Sequence, residues 1–276
     1  MTVVIALVAG LVIGLSLGAL GGGGSILAVP VLVYALGQTA TQATTGSLVV
    51  VGATALVGAF TACRAGNVLL LRGLTFGLVA TGGAALGAKA STHVPEPILL
   101  GAFATFMALV ALAMAVRLVR SHNPHTTRPR PQDDPKLAEP IIGLRPRLSC
   151  DCPRLLKLFL TATVVGLLTG FLGVGGGFLA VPALVVALNV PMKQAAGTSL
   201  VAITVTSAAA LAVRRSTGTH PDWSPVLLLT GAALVGGYLG ARAVPHVRAT
   251  HLQIAFTVLL VAVAGYTTWQ ALPALL

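Results

Sequence analysis

One stretch occurs twice in this chain. The first copy is Gly18-Ala19-Leu20-Gly21-Gly22-Gly23-Gly24-Ser25-Ile26-Leu27-Ala28-Val29-Pro30, and the second is Gly170-Phe171-Leu172-Gly173-Val174-Gly175-Gly176-Gly177-Phe178-Leu179-Ala180-Val181-Pro182. The offset of 152 residues holds from Gly14/Gly166 through Ser47/Ser199. Each copy is a glycine cluster inside an apolar run too long for one short helix. Glycine loosens a helix there and lets backbone approach a ligand closely. At membrane depth, irregular backbone is tolerated only where protein or water covers it. Two such interruptions at matching places in two halves are the mark of a transporter's binding region.

Composition decides that a membrane is the right setting. Of 276 residues, 56% are hydrophobic and 8% charged, with a mean hydropathy of +0.94. Several apolar runs approach or exceed the roughly 20 residues that span a bilayer. The expected class is an all-α polytopic membrane protein. The net charge of +11 would suggest nucleic acid in a soluble chain. Here, basic residues flanking spans and filling cytoplasmic loops account for it, with attraction of anions to the surface as a second effect. The first run lacks a basic leader and continues into the duplicated cluster, so a cleaved signal peptide is not expected.

The pattern divides the chain into a first transmembrane repeat (1–119), a hydrophilic linker (120–153) and a second repeat (154–276). Each half reads as about four apolar units, the first broken at its cluster. In the first half, Val3 to Leu20 precedes the break and Ile26 to Leu36 follows, with Ser25 as the expected N-cap. The later units run to about Ala62, from Leu74 to Ala90, and from Ile98 to Val119. In the second half they are Leu155 to Leu172, the half-helix Phe178 to Leu188, a unit ending near Val213, Pro225 to Ala243, and Leu252 to Trp269. A broken unit that crosses the membrane gives eight spans and parallel repeats; eight spans are favoured on sequence, and the orientation of the repeats is left open. A re-entrant one gives inverted repeats. The linker carries a dense share of the basic residues and is expected to be cytoplasmic and without a core of its own.

These residues resemble the TauE/SafE family of sulfite exporters, also called TSUP. The marks are G-x-x-x-G-x-L-G-x-G-G-G-x-x-x-V-P, from Gly166 to Pro182, and Q-A-x-G-T-S-L, from Gln194 to Leu200. Looser versions stand at Gly21 to Ser25 and Gln42 to Leu48. The resemblance covers both halves and skips the linker. It implies a multi-pass plasma-membrane protein that moves small anions such as sulfite, thiosulfate or organosulfonates.

An anion inside a membrane needs hydrogen-bond donors and positive potential, and half-helix N-termini offer both. The expected substrate-binding residues are therefore Gly22, Gly23, Gly24 and Ser25 with Gln42, Thr45 and Ser47 in one half. In the other half they are Gly175, Gly176 and Gly177 with Gln194, Thr198 and Ser199. The competing reading of every one is packing, because glycine, serine and threonine are common at helix contacts in lipid. Lys89 and Arg242 occupy equivalent places near span ends, where snorkelling to the interface explains them. His93 and His246 correspond in turns.

No carboxylate lies within an apolar span, which disfavours a buried carboxylate proton relay and a cation site. Cys63, Cys150 and Cys152 form neither a zinc set nor a C-x-x-C motif. No phosphate-binding loop is present, and no cofactor, metal or nucleic-acid partner is read from the sequence. An intramembrane enzyme lacks its nucleophile and base. A structural or assembly protein with a membrane partner is the alternative to a secondary transporter working by alternating access. Self-association into a homo-oligomer is left open.

Overall fold

The protein is described from a computed structural model over residues 2–91, 105, 108–116, 152–172, 179–188, 190–214 and 222–275. The linker through Asp151, the clusters' second copy at 173–178, the turn at 215–221 and most of the unit expected at Ile98 to Val119 lie outside these residues. The described residues form helices and connections, without strands. The elements are α1 (Thr2–Leu20), α2 (Gly23–Pro30), a π-helical turn (Val31–Ala35), α3 (Ala40–Arg64) and α4 (Leu70–Ser91). A short helical stretch at 108–116 is α5. There follow α6 (Cys152–Leu172), α7 (Ala180–Pro182), a second π-helical turn (Ala183–Ala187), α8 (Met192–Arg214), α9 (Trp223–Ala243) and α10 (Ala249–Leu275). Five of them, at Val3–Leu20, Gln42–Arg64, Leu70–Gly87, Met192–Val213 and Trp223–Ala243, are long and apolar enough to cross a membrane. The exposed faces of α1 and α9 carry Val8, Val12, Leu227 and Val235, the composition expected of lipid-facing surface.

Contacts too close for a side chain set the helix pairing. A methyl group added at Gly10, Gly14 or Gly18 would meet backbone of α9 at Leu229, Ala233 and Gly237. From the other side, Gly236 and Gly240 press on the backbone at Leu11 and Leu15. The numbers rise together, so α1 and α9 run parallel. The same contacts recur between α6 and α4: Gly166 lies on Ala80, Gly170 on Ala84, and Gly83 on Thr163 and Leu167. Small residues at this spacing let backbones approach in lipid, where close packing replaces the hydrophobic effect between helices.

Helix α3 runs with α9, since Gly46 meets Val226 and Thr54 meets Gly237. Helix α8 runs with α4, since Thr198 and Val201 meet Gly73 while Ala202 and Val205 meet Gly77. Between themselves α3 and α8 are antiparallel: Gly52 faces Ser207, Gly58 faces Leu200 and Ala62 faces Gly197. Thus α1, α3 and α9 point one way, and α4, α6 and α8 the other.

The chain turns back after α1. Gly21 takes a φ of 76°, a conformation open to glycine at little cost. Helix α2 then returns along α1, with Gly24 against Ile13 and Leu17. Further on, Leu32 lies against Gly46, at the level where Val226 begins α9. The chain therefore comes back toward the end from which α1 set out. The π turns follow Pro30 and Pro182. Proline has no N–H to donate, and the ladder slips beyond it. Leu36 N–H reaches Val31 O at 3.1 Å and Leu188 N–H reaches Ala183 O at 3.3 Å. One turn on, Gln38 N–H meets Leu32 O at 3.0 Å and Val190 N–H meets Leu184 O at 2.9 Å. The half-helix expected at Ile26 to Leu36 is therefore a short α-helix that widens into a π turn, and the described part of the one expected at Phe178 to Leu188, from Leu179 on, does the same, a feature frequent at functional sites.

Replacing Gly14 or Gly166 by alanine should destabilise the fold by about 1–3 kcal/mol through overpacking. Gly231→Ala, where a methyl meets nothing within 4 Å, should be neutral or mildly stabilising. Thermal unfolding of purified protein in detergent checks the contrast.

Candidate functional site

The break between α1 and α2 is bound to the start of α8. Gly21 N–H closes the last turn of α1 on Leu17 O at 2.8 Å. The buried Ser199 hydroxyl donates to Gly21 O at 2.7 Å and lies 2.8 Å from Ala196 O, an alternative acceptor. A methyl at Gly21 would sit 2.5 Å from the Ala196 backbone and 2.6 Å from Ser199 Oγ. Ser199 thus holds the turned carbonyl of the other half's break.

Gly22, and not Ser25, is the N-cap of α2, without a side-chain hydrogen bond. Ser25 lies inside the first turn, where its hydroxyl donates back to Gly22 O at 2.7 Å. The expectation that Ser25 caps this helix is corrected by that placement. Three glycines before it let the helix begin three residues sooner. The first N–H groups of any helix lack intrahelical partners, and at α2 these belong to Gly23 and Gly24. A methyl at Gly23 would meet only the flexible ends of Leu259 and Leu20, whereas one at Gly24 would strike the Ile13 carbonyl.

The remaining expected residues divide by position. Thr198 is fully buried, and its hydroxyl accepts from Leu69 N–H at 3.1 Å at the start of α4. Gln42 builds the start of α3 in a reciprocal cap with Thr39: Thr39 Oγ1 accepts from Gln42 N–H at 3.4 Å, and Gln42 Oε1 accepts from Thr39 N–H at 3.3 Å. The sequence signal for this, a threonine three residues before a glutamine, was present but not read. Thr45 and Ser47 are buried, and Ser47 Oγ donates to Thr44 O at 3.0 Å. Gln194 is part-exposed in the first turn of α8. Gly175, Gly176 and Gly177 lie outside the described residues, as does His93, while His246 is exposed in a 3₁₀ turn (Val244–His246).

The two halves differ at one junction. Gly46 stands where the offset of 152 places Thr198, and Asp222 corresponds to Leu69 at the offset of 153 that holds for α4 and α9. Instead of a hydroxyl, the buried Gln38 reaches this junction and donates from Nε2 to Asp222 O at 3.2 Å. Its Oε1 is buried without a partner among the described residues. Gln38 was not among the expected residues, because a glutamine before a threonine-rich patch reads as solvated loop.

A small cavity of about 10 Å³ lies among the ends of α1, α3, α8 and α9, lined by Gly18, Ala62, Asn67, Lys193 and Ala241 among others. Its volume is at the threshold for a single water. Cys63 is a free thiol, and no group of three or more metal-ligating side chains occurs among the described residues.

Helices of this length and apolarity, with a glycine-turned hairpin packed inside the bundle, define a polytopic helical membrane protein. The family profile described as sulfite exporter TauE/SafE matches residues 6–267, and the chain belongs to that family. It is similar to proteins described as probable membrane transporter protein in Xylella fastidiosa strains 9a5c and Temecula1. Each is 30% identical over 275 residues, covering 98% of this chain and 96% of the relative. A stretch of 80 residues, 29% of each chain, is 40% identical to the probable membrane transporter protein YunE of Bacillus subtilis. No solved structure matches the chain.

Ser199→Ala leaves the Gly21 carbonyl without its donor, and Thr198→Val leaves the Leu69 N–H without its acceptor. Each should lower stability by about 1–3 kcal/mol. Thr163→Ala, which removes a hydroxyl bonded only within its own helix, should stay within about 0.5 kcal/mol of the parent. Melting curves in one detergent compare the three.

Proposed function

We propose that this protein is a secondary transporter of small anions, with sulfite, thiosulfate and organosulfonates as the substrate class, acting in the plasma membrane by alternating access. The observation that carries the reading is the family match across nearly the whole chain. The chemistry agrees with it. The start of α2 offers N–H groups and the positive end of a helix dipole within the packed protein, and no apolar span contains a carboxylate to repel an anion. In this reading Gly22, Gly23 and Gly24, with their counterparts Gly175, Gly176 and Gly177, supply the donors. Ser25 and Ser199 hold the carbonyls of Gly22 and Gly21 at the turn, Thr198 holds the start of α4, and no enzymatic role is assigned.

The two halves are read as inverted repeats. Equivalent helices α3 and α8 run antiparallel, and the α1–α9 contacts recur between α6 and α4. In this reading the exchange axis lies in the membrane plane. It follows from the turn after α1, which returns the chain before α3 begins. Arg64, Arg72, Lys157, Lys193, Arg242 and Arg248 then lie at the end of the bundle where the linker joins α6. Lys89 and Arg214 lie at the other. By the positive-inside rule the linker end is cytoplasmic.

Two measurements test these readings. Proteoliposomes given labelled sulfite, thiosulfate, sulfate, sulfoacetate and a carboxylate control, with and without a pH gradient, should show saturable flux of one sulfur anion. Gly23→Ala should retain the fold and reduce that flux at least tenfold. Flux of none of the sulfur anions by folded protein rejects the substrate class. For topology, an impermeant thiol reagent applied to intact cells should label Asp222→Cys and spare Ala65→Cys in a background without native cysteines. The reverse pattern places the linker outside.

A further inference from the structure

The linker end of the bundle carries a feature that anion transport does not use. Helices α3 and α9 lie side by side and end at the same level, since Ala62 and Ala241 line one small cavity. Each carries an arginine in its last turn in contact with an aromatic side chain one turn deeper. The Arg64 guanidinium lies 4.5 Å from the Phe60 ring centroid. Arg242 Nη1 donates to Tyr238 Oη at 3.0 Å. Both rings are open to the surroundings, with Phe60 58% and Tyr238 43% exposed.

These four side chains lie on one outward side of the α3–α9 pair. Helix α3 turns Gly46 and Thr54 to α9, and it turns Gly52, Gly58 and Ala62 to α8. Helix α9 turns Val226 and Gly237 to α3, and it turns Leu229, Ala233 and Gly236 to α1. At about 100° per residue, Phe60 and Arg64 fall on the side of the α3–α9 seam away from α8. Tyr238 and Arg242 fall on the side away from α1. Because the helices are parallel, these are the same side. Below the arginines that side carries exposed Leu56 and Val235, an apolar wall at acyl-chain depth. The only carboxylate among the described residues, Asp222, is at the opposite end of α9.

We infer that this outward side, at the linker-side ends of α3 and α9, is a binding site for an anionic phospholipid, with Arg64 and Arg242 clamping the headgroup phosphate and Phe60 and Tyr238 resting on the upper acyl chains. Two arginines already held, one by the Phe60 ring and one by the Tyr238 hydroxyl, lose little freedom on meeting a phosphate, and their planar donor forks match its oxygens. Snorkelling by two independent arginines explains the positions of the charges but predicts no preference for one lipid.

The test is titration of purified protein with phosphatidylglycerol, phosphatidylcholine or inorganic phosphate, read by native mass spectrometry and by melting temperature. The expected result is retained phosphatidylglycerol and a melting temperature raised by that lipid alone. The variants Arg64→Gln and Arg242→Gln should each weaken binding roughly fivefold. Arg248→Gln removes the same charge from the same end but from α10, and should leave binding unchanged. Equal effects of the two lipids, an equal effect of free phosphate, or equal losses in all three variants would each overturn the assignment. The lipid titration of the parent protein stands even if a variant fails to fold.

Discussion

Everything in this bundle depends on backbone meeting backbone. Inside a bilayer, burying a leucine against another helix gains little over burying it in lipid, so helices associate through close packing and polar contacts. The pairs α1–α9 and α4–α6 achieve this with bare helix surfaces. Gly14 admits the Ala233 carbonyl, and Gly166 admits the Ala80 carbonyl. The seams are flat, and each leaves the opposite face of its helix free for lipid. The aromatic content is only 5%, as expected where close approach of small residues replaces large side chains at the core.

The seams also set the stage for the break. With α1 fixed on α9, the turn at Gly21 is delivered to the first turns of α8, where Ser199 receives it. Helix α2 is then enclosed by α1, α3 and α10. Its unfilled N–H groups therefore face protein and not lipid, the condition under which irregular backbone survives at membrane depth. Glycine serves differently along this path. At Gly24 the need is space against the Ile13 carbonyl, while at Gly21 it is both space and a left-handed backbone.

Much of this could be read in the residues. Apolar length gave the membrane class and most helix positions, and glycine spacing pointed to close helix pairs. Charge could not orient the chain, because a broken unit that crosses the membrane puts Arg64 and Arg242 on opposite sides, whereas a re-entrant one puts them on the same side. The return of α2 adds a pass that composition does not announce, and with it both arginines fall at one end. Ser25 was misplaced because serine favours helix starts in general, yet here glycine had already begun the helix and the hydroxyl folded back on Gly22. The roles of Thr198 and Gln38 rest on partners more than a hundred residues away in sequence. A motif can mark such residues but cannot say what they hold.

The exchange of partners between halves bears on how the protein is made. Helix α1 leaves the ribosome and enters the membrane with its glycine stripe bare, and the helix that fits it, α9, is synthesised nearly a whole chain later. Helix α4 waits in the same way, though only for α6. Neither half can complete its own packing, so a membrane holding the first half alone contains two unmatched helix faces. Assembly is thus a late event that begins when α6 finds α4 and closes when α9 finds α1.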